Sequence, residues 1–300
     1  MVNYNYKIED SILVERPQQP TLPLVVSSPH SGRNYSKEFI ASSVLTPLRL
    51  RSSEDSFVEE IFGNAPNLGA SFIKALFPRV FVDVNREPFE LDPTMFSGPL
   101  PDYATIQNSR ISAGLGTIAR VVSNGEQVYT KKLDYSEIEN RINYFYQPYH
   151  QALETLIEET KKKFGYCILL DCHSMPSGST GPRGSSKLKI TRHVDIVLGD
   201  CHGTSCHPTI IGFAAEFLSD LGFTVRRNTP FAGGFITRNY GKPREGVHSL
   251  QIELNRGLYM DEYRIERLEG IVPLTNDMTN LVKELGLLLN PNVTIEDAAE

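Results

Sequence analysis

Two histidines stand where apolar runs give way to turns. Leu22-Pro23-Leu24-Val25-Val26 ends in Ser27-Ser28-Pro29-His30-Ser31-Gly32, and Cys167-Ile168-Leu169-Leu170 ends in Asp171-Cys172-His173-Ser174-Met175-Pro176. Each run reads as a core strand that releases polar groups into a Pro- or Gly-containing turn. Open α/β sheets hold their ligands just outside that carboxyl end. A His placed there serves as metal ligand, general base or hydrogen-bonded packing residue. If the two strands are neighbours, His30 and His173 converge on one point. Catalytic zinc sites combine His and carboxylate ligands and keep one position open for water, so a carboxylate is still needed.

Glu54 and Asp55 are the candidates for it. Ser52-Ser53-Glu54-Asp55 opens an expected helix to about Phe62, with Phe57, Val58, Ile61 and Phe62 as its buried side. Two acids in a first turn complement the helix dipole, or one of them reaches the crevice as a ligand. A third carboxylate, Glu253, lies in the alternating run Val247–Arg256, with His248, Leu250, Ile252 and Leu254 on one face and Val247, Ser249, Gln251 and Glu253 on the other. A carboxylate so near an apolar strand is expensive without a partner, which marks it for acid–base work unless that face is half exposed.

Cations complete the set. Arg79-Val80-Phe81-Val82-Asp83-Val84-Asn85-Arg86 is a β-branched run ending in Asn-Arg. Arg86 there can fork onto a carboxylate, or pair structurally with Asp83 or Glu87. Arg120, in the poorly periodic 89–132 region, and Arg238, in a glycine-hinged loop over 231–241, are further candidate anion contacts. Cys201, His202, Cys206 and His207 bunch like half of a structural zinc site, but the chain offers no matching Cys pair.

Strands must alternate with helices to position these groups. Ser136-Glu137-Ile138-Glu139 is a capping-box pattern. The stripe Ile138, Ile142, Phe145, Tyr149, Leu153, Leu156 carries that helix to about Phe164, with Pro148 expected to kink or split it. Further elements are a glycine-rich basic loop over 177–192, a strand at Val194–Leu198, a helix from Pro208 to Gly222, and two helices interrupted by Pro273. The pattern implies an α/β fold with a mixed, mostly parallel sheet flanked by helices. Residues 1–21 read as a surface arm, 22–290 as a single catalytic domain and 291–300 as a loose tail.

Composition narrows the class. The 300 residues are 40% hydrophobic and 22% charged, with a formal charge of -6. That is ordinary globular composition and lacks the basic face of a nucleic-acid binder. No apolar run is long enough to span a membrane. The N-terminus has no signal pattern, and four Cys without a framework suit a reducing, cytoplasmic compartment.

The polar groups suit metal-assisted hydrolysis of an amide whose substrate carries carboxylates. Pro29-His30-Ser31-Gly32, Glu54-Asp55, Asp83-Val84-Asn85-Arg86, Asp171–Pro176, Leu198-Gly199-Asp200, the Gly233–Tyr240 loop and Gln251–Met260 together resemble the N-formylglutamate amidohydrolases. The resemblance runs in order from about residue 22 to 262. It implies a fold similar to zinc carboxypeptidases and aspartoacylases, and hydrolysis of N-formyl-L-glutamate to glutamate and formate in histidine degradation. In that comparison His30 and His173 are zinc ligands, Glu253 is the general base, and Asn85 with Arg86 holds a substrate carboxylate. The carboxypeptidase pattern puts its ligand Glu three residues after the first His, and Arg33 stands there. The third ligand must therefore come from elsewhere, and Asp55 is taken over Glu54. A hydrolase of another small acidic N-acyl amino acid or peptide, or a silent binding protein for an acidic small molecule, are the competing expectations.

Overall fold

The computed structural model describes residues 11–180 and 194–288. Its main sheet has seven strands, β1 (Ile12–Glu15), β2 (Leu24–Ser28), β3 (Ser71–Ala75), β4 (Cys167–Met175), β5 (Ile196–Gly199), β6 (Val225–Arg227) and β7 (Val247–Asn255). Their order is β1-β3-β2-β4-β7-β5-β6. β3, β2, β4 and β7 run parallel. β1 is antiparallel to β3, and β5, with β6 parallel beside it, is antiparallel to β7. This is the mixed, mostly parallel sheet that the alternation implies.

The central strands are buried on both faces, which is why they read as near-continuous apolar runs. Leu24, Val26, Ile168, Leu170, Leu250 and Ile252 face one core, shared with the helices Pro208–Asp220 and Ile271–Gly286. Val25, Cys167, Leu169 and Val247 face the other, covered by the helix Gln147–Phe164 through Leu153, Leu156 and Ile157. Strand alternation puts Asp171, His173, Gln251 and Glu253 on this second face, at the carboxyl ends of β4 and β7. No helix among the described residues is long and apolar enough to cross a membrane.

Four local expectations are corrected. The N-terminal arm contributes β1, whose short alternation of half-buried and exposed residues is a weak signal for an edge strand. No continuous helix covers 52–62. Glu54 is extended, Phe57 is left-handed at φ 70, and the helix is confined to Val58–Ile61. The Asp55 N–H is drawn instead to the His30 carbonyl at 3.0 Å. Arg79–Asn85 is an irregular buried segment following β3, its β-branched residues packing into the core without strand pairing. Within 231–241, Phe235–Tyr240 is a short helix. Pro273 lies in the first turn of one C-terminal helix, where its missing N–H costs nothing, and Met260–Arg267 forms a two-stranded hairpin before it. Pro148 is accommodated by a π-helical turn at Ile142–Tyr146, which offsets the hydrogen-bond ladder immediately before it. The tail and most of the 177–192 loop lie outside the described residues.

Candidate metal centre and substrate cavity

β2 and β4 are neighbours, so the two histidines do converge. His30 leaves β2 two residues past Ser28, and the His30 and His173 ring centroids are 4.8 Å apart. Asp55 closes the group. Its Oδ2 lies 3.0 Å from His173 Nδ1 and 3.4 Å from His30 Nδ1. These donor atoms all fall within 4.8 Å of one another, and all three residues are buried.

The far side of each ring is held by a carboxylate. His30 Nε2 is 2.7 Å from Asp83 Oδ1, and His173 Nε2 is 2.9 Å from Asp171 Oδ1. An Nε2–H donated outward leaves each Nδ1 lone pair aimed at the common point, the usual arrangement behind metal-ligating histidines. His30 Nδ1 is buried with no hydrogen-bond partner. A buried polar atom without a partner is costly, and a cation bound between the rings satisfies it. Two imidazole nitrogens and one carboxylate oxygen are a donor set of the catalytic zinc kind.

Charge favours a cation here as well. Burial opposes ionisation of Asp55, but the neighbouring His173, His30 and Arg79 hold its carboxyl well below the usual range. Burial likewise opposes a charged His173, yet Asp171 and Asp55 pull its pKa well up. Asp55 is oriented from behind, its Oδ1 accepting from an Arg256 guanidinium N–H at 3.0 Å. Glu54 faces away. It accepts from Arg51 Nε at 3.1 Å and from Ser56 Oγ at 2.8 Å. Arg33 also points outward, to Glu59 at 3.0 Å and Glu60 at 3.4 Å.

A cavity of 490 Å³ opens beside the cluster, lined by His30, His173, Asn85, Arg86 and Glu253 among others. Glu253 is the in-register neighbour of His173 across β4 and β7. Burial pushes its carboxyl up to about 7, and Gln251 donates to it at 3.0 Å. Asn85 reaches the cavity, but its amide is spent on framework. Its Nδ2 is directed at Asp171 Oδ2, 3.5 Å away, beside the His173 ring, and its Oδ1 accepts from the Ile236 N–H at 2.7 Å. Gly234 makes that approach feasible, because a Cβ there would run into the Asn85 amide. Arg86 donates to the Asn85 and Leu115 carbonyls at 2.8 and 3.0 Å.

Two expected anion contacts fall elsewhere. Arg120 pairs with Asp92 at 2.7 Å and lines a separate cavity of 310 Å³. Arg238 is exposed on the helix Phe235–Tyr240 and does not line the main cavity. In their place the cavity has Arg79, Arg110 and Arg256, which the sequence reading did not select. Asp171 was findable, since residues two apart in a strand share a face. Arg110 carries no local signal. Among the described residues no second metal-type cluster forms around Cys201–His207. His207 caps its helix by accepting the Thr209 N–H at 3.2 Å, and all four cysteines are free.

The family model for N-formylglutamate amidohydrolase matches residues 22–260. An N-formylglutamate deformylase of Pseudomonas aeruginosa is 30% identical over 245 residues, covering 80% of this chain and 83% of that protein. One from Pseudomonas putida is 28% identical over 250 residues, covering 81% and 84%. The crystal structure of N-formylglutamate amidohydrolase from Ralstonia eutropha superposes with a TM-score of 0.84 at 35% identity, covering 92% of this chain and 97% of that one. The matched span contains the histidines, the carboxylates and the arginine-lined cavity alike, and the chain belongs to the N-formylglutamate amidohydrolase family.

Proposed function

We propose that the chain is a zinc-dependent, cytoplasmic hydrolase of N-formyl-L-glutamate, releasing glutamate and formate in histidine degradation. The observation that carries this reading is the convergence of His30 Nδ1, His173 Nδ1 and Asp55 Oδ2 within 4.8 Å, beside a buried Glu253 in an arginine-lined cavity. His30, Asp55 and His173 would hold the metal. The chemistry a bound zinc supplies is polarisation of the formyl oxygen and a lowered pKa for water.

The protein's own groups do the rest. With its pKa lifted to about 7 by burial, Glu253 is poised to take a proton from the attacking water and return it to the amide nitrogen. The C–O bond then forms as the C–N bond breaks, and glutamate leaves as an amine. Arg86, beside Asp83 at 3.9 Å, sits near enough to the cluster to grip the α-carboxylate. Asn85 acts through Asp171, the carboxylate that holds the His173 ring. Arg120 and Arg238 are left out of the substrate contacts because both lie away from the cavity lining.

The test is metal analysis of the purified protein together with a substrate panel of formyl, acetyl and larger acyl glutamates and aspartates. Stoichiometric zinc and preference for N-formylglutamate are expected. A zinc-loaded protein that leaves N-formylglutamate intact, or prefers bulkier acyl groups, would overturn the reading.

A further inference from the structure

We propose that Arg110 binds the side-chain carboxylate of the substrate and thereby sets the preference of this site for acidic N-formylamino acids, an inference that rests on the N-formylglutamate reading above. A diacid needs two cationic contacts in the cavity. Among the described residues four arginines line it, Arg79, Arg86, Arg110 and Arg256. Two of them are already committed to the metal cluster. Arg79 donates to Asp83 at 2.8 Å, and Arg256 donates to Asp55 at 3.0 Å. Arg86 spends two N–H groups on carbonyls and stands 3.9 Å from Asp83. Arg110 differs from all three, since among the described residues its guanidinium has no ion pair or hydrogen bond.

Its base is nonetheless fixed. Arg110 belongs to the short helix Ser109–Ser112, whose cap Asn108 accepts the Ile111 N–H at 2.8 Å and donates to Glu90 at 2.7 Å. The same loop returns to Arg86. The Leu115 N–H bonds the Arg110 carbonyl at 2.8 Å, and the Leu115 carbonyl accepts from Arg86 Nε at 3.0 Å. Arg86 and Arg110 are thus built on one frame, close enough that the charge of Arg110 adds to burial in lowering the Arg86 pKa. Two guanidiniums lining one cavity repel unless an anion joins them.

The chain of contacts also orders the two carboxylates. Arg86 neighbours Asp83, which holds His30, so it is the cation near the reacting carbon. The α-carboxylate is one carbon from the scissile nitrogen and falls to Arg86. The γ-carboxylate lies two methylenes further out and falls to Arg110. A partly buried guanidinium gives such a carboxylate two parallel hydrogen bonds, and a neutral amide in its place leaves them unmatched.

The experiment compares N-formyl-L-glutamate with N-formyl-L-glutamine in wild type, Arg110→Gln and Arg110→Lys. The wild type should favour the glutamate substrate in kcat/KM. Arg110→Gln should raise KM for N-formylglutamate by about 10–100-fold, more than it lowers kcat, the size expected for lost hydrogen bonds to a charge. KM for N-formylglutamine should move far less, so the preference collapses, and Arg110→Lys should restore part of it. An unchanged glutamate-to-glutamine ratio in Arg110→Gln overturns the assignment of Arg110 while leaving the proposed reaction standing. A wild type inactive on N-formylglutamate removes the reaction itself, and this assignment with it.

Discussion

Asp55 Oδ2 meets His173 Nδ1 at 3.0 Å between two buried side chains, although 118 residues separate them in the chain. Glu54, one residue earlier, is turned to Arg51 and Ser56. The two acids should therefore behave differently. Asp55→Ala, like His30→Ala or His173→Ala, should lose zinc and activity together, whereas Glu54→Gln should keep its zinc. Metal content by atomic emission separates them, and an Asp55→Ala protein with stoichiometric zinc would remove Asp55 from the ligand set.

Glu253→Gln preserves size and can still hydrogen-bond but cannot accept a proton. The variant should fold, bind zinc and bind glutamate, with kcat lowered by roughly 10²–10⁴-fold. Burial pushes the wild-type carboxyl up to about 7, so it is protonated and inactive as a base below that pH. The wild-type kcat/KM should accordingly fall on the acid side of about 7, and that limb should be missing from the variant. Near-normal kcat with an unchanged profile would reduce Glu253 to a structural carboxylate.

Asp83 and Asp171 act through the rings they hold at 2.7 and 2.9 Å. Asp171→Asn or Asp83→Asn should weaken zinc binding by about 10–100-fold. Chelator competition reads this directly. Unchanged affinity in both variants would show that the rings are oriented by packing alone.

His150 gives a pH dependence of stability unrelated to catalysis. Burial lowers its pKa to about 4, and it sits between the Tyr240 hydroxyl and the Val84 carbonyl, 2.9 Å from each. Unfolded, the ring titrates near the ordinary value of about 6.5. Between those values the unfolded chain binds more protons, so the contribution is fully present above about 6.5 and is lost as pH falls toward 4. It amounts to roughly 3 kcal/mol at most. Denaturant titrations at pH 7 and 5 should show a smaller loss for His150→Gln than for wild type in the same metal state. Equal losses would mean that His150 is protonated in the folded protein too.

The strands that hold the site were legible because their burial on both faces writes apolar runs into the sequence, as at Val25–Val26 and Ile168–Leu170. Histidines ending such runs pointed to the crevice, and β2 lying beside β4 brings them together. What was not legible depends on long-range contact. The path of Asp55 is fixed by the His30 carbonyl and the left-handed Phe57, neither of which marks a helix start. Nothing local separates Arg79, Arg110 and Arg256 from Arg120 and Arg238, because an arginine in a loop has no periodicity to say which way it faces. Arg110 is 24 residues from Arg86 in sequence and reaches the same wall only through the fold of the Gly-rich excursion.

The in-register pairing of His173 with Glu253 has a consequence for how this scaffold can change. The two residues sit on adjacent parallel strands, where backbone hydrogen bonding fixes neighbouring chains about 4.8 Å apart. The separation between the proposed metal ligand and the proposed proton acceptor is therefore a property of the sheet itself. Insertions or substitutions in the Ser109–Leu115 segment leave that spacing untouched while reshaping the wall that meets the substrate's far end. Selectivity and reactivity are mechanically separable here, so directed evolution confined to that segment should yield hydrolases for other N-formylamino acids without rebuilding the reaction centre.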